Sequence, residues 1–116
     1  MLNNCRVVIT GLGVISSIGI GWEEFWHSLL KGKSGISPVT SLDTTNHFTH
    51  RGGEVKNFKP EKFIPQEKHN LLSRASQFAL AAAKLAVEDT KLTHDEILKM
   101  RIVYVIIRSP FRAILV

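Results

Sequence analysis

Arg6-Val7-Val8-Ile9-Thr10-Gly11-Leu12-Gly13-Val14-Ile15-Ser16-Ser17-Ile18-Gly19 runs a β-branched stretch directly into spaced glycines. Val7, Val8 and Ile9 are contiguous rather than alternating, which predicts a strand over residues 6–10 with helices covering both faces of its sheet. A glycine pair after a strand invites a dinucleotide-binding reading, because glycines let a backbone approach a pyrophosphate at a helix N-terminus. That reading fails on three counts. The third glycine position is Ser16, the helical pattern does not begin until Trp22, and no second strand with a ribose-binding acid follows. What remains is structural: Gly11 and Gly13 permit a tight chain path in a packed core.

Downstream the period changes. Trp22, Phe25, Trp26, Leu29 and Leu30 fall at i, i+3, i+4, i+7 and i+8, an apolar helical face, with Gly21 placed to open the helix and Gly32 to close it. Residues 34–65 are rich in Ser, Thr, Asn, Gly and Pro without a sustained period, so they read as a long irregular excursion with one short strand at Gly53-Glu54-Val55. A helix follows over residues 71–90, its face formed by Leu71, Ala75, Phe78, Ala79, Ala82, Leu85 and Ala86. Small side chains there let a neighbour approach closely, and alanine has the highest helix propensity. Thr93-His94-Asp95-Glu96 has the spacing of a capping box and starts a short helix through Met100. Residues 102–107 are apolar and β-branched, a second buried strand.

Composition narrows the class. With 116 residues, 44% of them apolar, the chain is sized for one small domain, and its single Cys5 excludes an internal disulfide framework and suits a reducing cytoplasm. No segment reaches the ~18 apolar residues of a membrane span, and the first residues do not form a signal peptide. A formal charge of +5 raises the question of nucleic acid. Lys31, Lys33, Lys56, Lys59, Lys62, Lys68, Arg74 and Lys84 are scattered among acidic neighbours without interleaved aromatics, so they read as solvated surface, and neither nucleic acid nor membrane is expected as a partner. A basic surface also speeds encounter with an acidic protein.

No catalytic set stands out. Cys5 has no neighbour in sequence that would lower a thiol pKa; Arg6, next in an extended chain, points to the opposite face. Of His27, His47, His50, His69 and His94, only His47 and His50 are close, and nothing completes a zinc spacing, so no metal and no cofactor is expected. Glu23 and Glu24 sit where a helix start favours negative charge.

Taken together, residues 6–19 and the block Phe25-Trp26-His27-Ser28-Leu29-Leu30-Lys31-Gly32-Lys33-Ser34-Gly35-Ile36, in matching register, resemble the opening of a β-ketoacyl synthase, closest to the bacterial long-chain elongating type. Gly53-Glu54-Val55-Lys56-Asn57-Phe58 is similar to a further family segment that covers the core, and Gln77-Phe78 is kept in the second helix, whereas Ser73 and Ala75 depart from the family's usual Asp and Phe. The resemblance implies an α/β chain, the N-terminal part of a thiolase-like fold in the order strand, helix, long loop, helix, strand, with residues 1–116 as one partial domain. It implies condensation of an acyl thioester with malonyl-acyl carrier protein in fatty-acid or polyketide synthesis, by a cysteine and two histidines that this chain lacks. Acyl carrier protein is the implied partner and a homo-oligomer the implied assembly. The tail over residues 101–116 is atypical: Val103 and Ile107 stand where the family has glycine, and Phe111 falls near an apolar acyl-pocket position. The expectation is a truncated synthase, no catalyst alone, with a two-stranded parallel sheet left uncovered. The alternative is a non-catalytic assembly fragment that pairs with itself or with a full-length synthase.

Overall fold

The computed structural model describes residues 8–99, 107–108 and 114–115. Its elements in chain order are β1 (Val14–Ser16), β2 (Gly19–Ile20), α1 (Trp22–Leu30), β3 (Ile36–Pro38), β4 (Arg51–Gly53), two 3-10 turns (Pro60–Lys62 and Gln66–Leu71), α2 (Arg74–Thr90), α3 (His94–Lys99), β5 (Ile107–Arg108) and β6 (Ile114–Leu115). Four strands form a sheet in the order β2-β1-β6-β5, and β3 and β4 form a separate hairpin. Among the described residues every pairing is antiparallel, with Ile15 opposite Ile20 on one side of β1 and Ile114 on the other. The four-residue turn from Ser16 to Gly19 folds β2 straight back on β1, while much of the expected parallel pair, residues 6–7 and 102–106, lies outside the described residues. Ser16 Oγ fixes that turn: it accepts from the Gly19 amide at 3.1 Å and donates to the Gly19 carbonyl at 2.9 Å.

The first strand also begins later than the apolar run suggests. Residues 8–10 carry no strand, and Val8 and Ile9 are 72% and 85% exposed, while Val14, Ile15 and Ser16 are all buried. The physical reason is the position of α2. A Cβ on Gly13 would overlap the Ala82 carbonyl, and one on Gly11 would overlap the Ala86 carbonyl and the Thr90 methyl. The two glycines rest on successive turns of one helix, and pairing starts only where the chain leaves that contact. Arg6 and Val7 of the expected strand lie outside the described residues, as do residues 102–106 of the second; Ile107 belongs to β5.

Ile15, Val55, Phe58, Phe78, Ala81 and Ala82 form the core. Phe58 meets Phe78 edge-on at 4.9 Å between ring centroids and stacks on Phe63 at 5.8 Å. Arg74 lays its guanidinium over both Phe58 and Phe78, 5.0 and 4.8 Å from their centroids, closing the cluster on the solvent side. Gln77 explains its pairing with Phe78 in sequence. As Phe78 enters the core, the Gln77 amide donates to the carbonyls of His69 and Leu72, tying the 3-10 turn to α2.

α2 starts at Arg74 rather than at 71. Ser73 is its N-cap, accepting from the Ser76 amide at 3.2 Å, and Leu71, in the 3-10 turn before it, is exposed. The short strand of the excursion is Arg51–Gly53, paired with Ile36–Pro38, not residues 53–55, because Val55 turns inward to the core. The capping box forms as its spacing requires: Glu96 accepts from the Thr93 amide at 2.8 Å and the Thr93 hydroxyl accepts from the Glu96 amide at 3.4 Å.

α1 has the bounds its periodicity predicts, and Gly32 just beyond it takes φ 62°. Its face, however, is not covered. Trp22, Trp26, Leu29 and Leu30 are 40%, 50%, 49% and 68% exposed, and Ser28 is the residue of α1 that is buried. The helix rests on the sheet along the Phe25–Ser28 side, leaving most of its apolar stripe to solvent.

Candidate functional site

The first turn of the chain, the start of α1 and the excursion enclose a cleft of about 550 Å³. One wall is the Ser16–Ile20 turn, a second the stretch Lys33–Gly35, and the third the strand of chain from Glu54 to Phe63. Four lysines, Lys33, Lys56, Lys59 and Lys62, line it together with two carboxylates, Glu24 and Glu54. Sequence reading had these lysines as scattered surface. The fold gathers them, because Lys56, Lys59 and Lys62 recur every third residue along one chain segment, and the β3–β4 hairpin carries that segment back beside Lys33.

Both carboxylates are already engaged. Glu24 accepts the Ile20 amide at 2.9 Å. Glu54 is held well below the usual carboxylate range, to about 2, by the Ser41 hydroxyl and by the hydroxyl and amide of Thr40; the two Thr40 bonds are 2.9 and 3.1 Å long. Lys56 Nζ caps the Pro38 carbonyl at 3.4 Å. The cleft thus presents more cationic than anionic groups, and its fixed negative charges face backbone and hydroxyl donors. Such a rim suits a partner bearing carboxylates or phosphates and is not a catalytic constellation.

A second cluster joins the glycine turn to both helices. Asp89, near the end of α2, accepts the Leu12 amide and the Trp22 indole N–H, each at 2.9 Å. One carboxylate therefore fixes the chain between Gly11 and Gly13 and orients the first side chain of α1. Nothing in local sequence signalled Asp89, since its partners lie 77 and 67 residues away.

The remaining candidates are dispersed. His50 Nδ1 lies 3.1 Å from the Thr44 hydroxyl and His69 Nε2 lies 2.8 Å from the Ile64 carbonyl. Among the described residues no group of three His, Cys, Asp or Glu side chains is arranged to hold a metal ion. No described helix is long and apolar enough to cross a membrane. Cys5 and the acyl-pocket candidate Phe111 lie outside the described residues.

Set beside known proteins, residues 4–109 match the model of the β-ketoacyl synthase N-terminal domain. The chain belongs to the β-ketoacyl synthase family. A 3-oxoacyl-(acyl-carrier-protein) synthase 2 of Staphylococcus aureus (strain MRSA252) is 41% identical over 96 residues, which make up 83% of this chain and 23% of the relative. The corresponding enzyme of Synechocystis (strain ATCC 27184 / PCC 6803 / Kazusa) is 36% identical over the same share. This synthase-family chain thus spans about a quarter of the length of the curated relatives it matches. Among solved structures, the ishigamide ketosynthase/chain length factor superposes with a TM-score of 0.69 at 42% identity, covering 77% of this chain and 22% of that one. A type II polyketide synthase ketosynthase, bound to the hexaketide and in complex with its acyl-carrier protein, gives 0.53 at 32% identity, over 78% of this chain and 20% of that one. These neighbours carry the thiolase-like α/β assignment: the strands and helices described above match the N-terminal part of known ketosynthases.

Proposed function

We propose that this chain forms the N-terminal part, residues 1–116 as one partial domain, of a β-ketoacyl-acyl carrier protein synthase of fatty-acid or polyketide synthesis. In that reaction a carbon–carbon bond forms between the malonyl α-carbon and an enzyme-held acyl carbonyl, as carbon dioxide leaves the malonyl group and the cysteine thiolate is released. The share of these residues is the scaffold, the glycine turn seated on α2. The observation that carries this reading is the match over residues 4–109, which spans the glycine pair and the helix they rest on. Phe111 is the proposed acyl-pocket contribution, and the single Cys5 fits a cytoplasmic setting.

Acyl carrier protein is the proposed partner. Support comes from the lysine-lined cleft, complementary to the acidic surface of carrier proteins, and from the solved ketosynthase that holds one. The test is a chimera in which residues 4–109 replace the equivalent stretch of the 41%-identical relative. Condensation by the chimera, with none by the isolated chain, supports the reading; a folded, carrier-binding chimera that cannot condense contradicts it. Titration of the labelled chain with carrier protein at low salt checks the partner, with Lys56→Glu/Lys59→Glu expected to weaken binding about tenfold.

A second reading rests on the exposed face of α1: a non-catalytic assembly fragment that forms a homo-oligomer or pairs with a full-length synthase. Oligomeric mass of the purified chain distinguishes it from a monomeric fragment.

A further inference from the structure

The lysine-lined cleft is more than a charged rim. Its volume of about 550 Å³ is that of a small-molecule site, whereas a folded partner reaches only its edge. One side is closed by direct contact. A Cβ on Gly35 would overlap the Ser17 hydroxyl and the Ile18 side chain, so the Lys33–Gly35 wall rests against the Ser16–Ile20 turn. The wall from Glu54 to Phe63 is bent, with Asn57 at φ 59° and a 3-10 turn at Pro60–Lys62. Along it Phe58 enters the core while Lys56, Lys59 and Lys62 line the cleft, and Glu61 of the same segment is not among the lining residues.

The lining selects the chemistry of a ligand. Four lysines against two carboxylates leave an excess of two positive charges. Glu24 is taken up by the Ile20 amide and Glu54 by the Thr40 amide and hydroxyl, so the structure ties both acids to neutral donors of the chain. A multiply charged anion matches that excess better than a single carboxylate. The cations themselves point the same way: the ammonium is a compact point charge suited to phosphate oxygens, and the lining holds no guanidinium, whose planar fork favours a carboxylate. Ser34 adds a neutral donor, because its Oγ accepts the Ile36 amide at 3.2 Å and keeps its proton for another acceptor.

We propose that the cleft binds a small polyphosphate anion, free or carried by a nucleotide, between Lys33 on one wall and Lys56, Lys59 and Lys62 on another. The site shares lysines with the carrier-protein reading but goes beyond it and stands without it.

The test is a titration of the unmodified 116-residue chain with inorganic tripolyphosphate at constant ionic strength, followed by calorimetry and amide shifts. The expected result is one saturable site, with shifts concentrated in residues 16–20, 33–37 and 54–63 and a urea midpoint that rises with ligand. Lys33→Gln and Lys59→Gln each weaken binding about fivefold, and their effects multiply in the double variant because they stand on different walls. Lys99→Gln, the same loss of charge on α3 outside the lining, leaves affinity within about 1.5-fold. Pyrophosphate and adenosine diphosphate, titrated separately, distinguish the sources: equal affinity assigns the site to the phosphates alone, and tighter nucleotide binding adds a contact with Ile18, Ile20 or Phe63. Either agrees with the proposal. A Lys99→Gln effect as large as that of Lys33→Gln, or shifts spread over the whole surface, would reduce the attraction to net charge and overturn the site. Absence of saturable polyphosphate binding in a chain that still binds carrier protein overturns the site and leaves the carrier reading in place; absence of both overturns both. The same titration in the chimera, read as the difference between parent and Lys33→Gln/Lys59→Gln, repeats the test within a longer synthase.

Discussion

α1 and α2 have equally legible apolar faces in the sequence, yet one is buried and the other is exposed. α2 is seated by this chain alone: Gly11 and Gly13 bring the backbone onto Ala82 and Ala86, and Phe78 completes the aromatic cluster with Phe58. α1 touches the sheet through Phe25 and Ser28 and leaves Trp22, Trp26, Leu29 and Leu30 outside. Apolar periodicity records that a face is destined for burial; it does not record that the same chain supplies the cover. In relatives of which this chain spans 23%, much of the possible cover lies elsewhere.

The sharpest way to break this contrast is at α2. Phe78→Ala removes the α2 ring of the aromatic cluster and part of the surface beneath Arg74, and should cost about 3–5 kcal/mol in urea unfolding. Loss of a cooperative transition altogether is the extreme of the same effect, whereas a change under about 1 kcal/mol would mean that α2 is not the core helix. Gly13→Ala tests the seat itself. Its new methyl meets the Ala82 carbonyl, so the helix must move, at about 1–3 kcal/mol by the same measurement.

Smaller effects sharpen the picture. Ser73→Ala removes the N-cap bond to Ser76 and should cost about 1 kcal/mol. At the other end, Lys91 closes α2 in the left-handed conformation at φ 55°, so Lys91→Gly should stabilise by about 0.5–1 kcal/mol, read as a higher urea midpoint.

The smallest effect is a pH dependence in the excursion. Glu54 is held at about 2 in the folded chain against 4.5 for a free glutamate. A carboxylate with a depressed folded pKa stabilises above its unfolded value, so this contribution is complete above about pH 4.5 and declines as pH falls towards 2. Being only half-buried, Glu54 should give a slight slope, and Glu54→Gln should remove it from an acid titration followed by the amide signals of Thr40 and Ser41. An unchanged titration would detach Glu54 from its hydroxyl partners.

How much of this was legible follows the range of the physics. α1 and the capping box at Thr93 and Glu96 rest on contacts or periods within a few residues, and the sequence carries them. Residues 8–10 carry no strand because the seat of Gly11 and Gly13 on α2, a tertiary fact, decides where pairing begins. The Asp89 bonds and the lysine cleft join segments far apart in sequence, so only the folded chain brings them together. Ser73 shows an intermediate case: a departure from the family's usual Asp that still supplies a side-chain oxygen to the first turn of α2.

Hydrogen exchange on the 116-residue chain, run dilute and then concentrated, tests the contrast between the two helices most directly. Amides from Phe78 to Ala86 should be the slowest at every concentration, while those of α1 exchange quickly in dilute solution and slow as the chain is concentrated. Equal protection of both helices in the dilute chain, or exchange in α2 as fast as in α1, would contradict it.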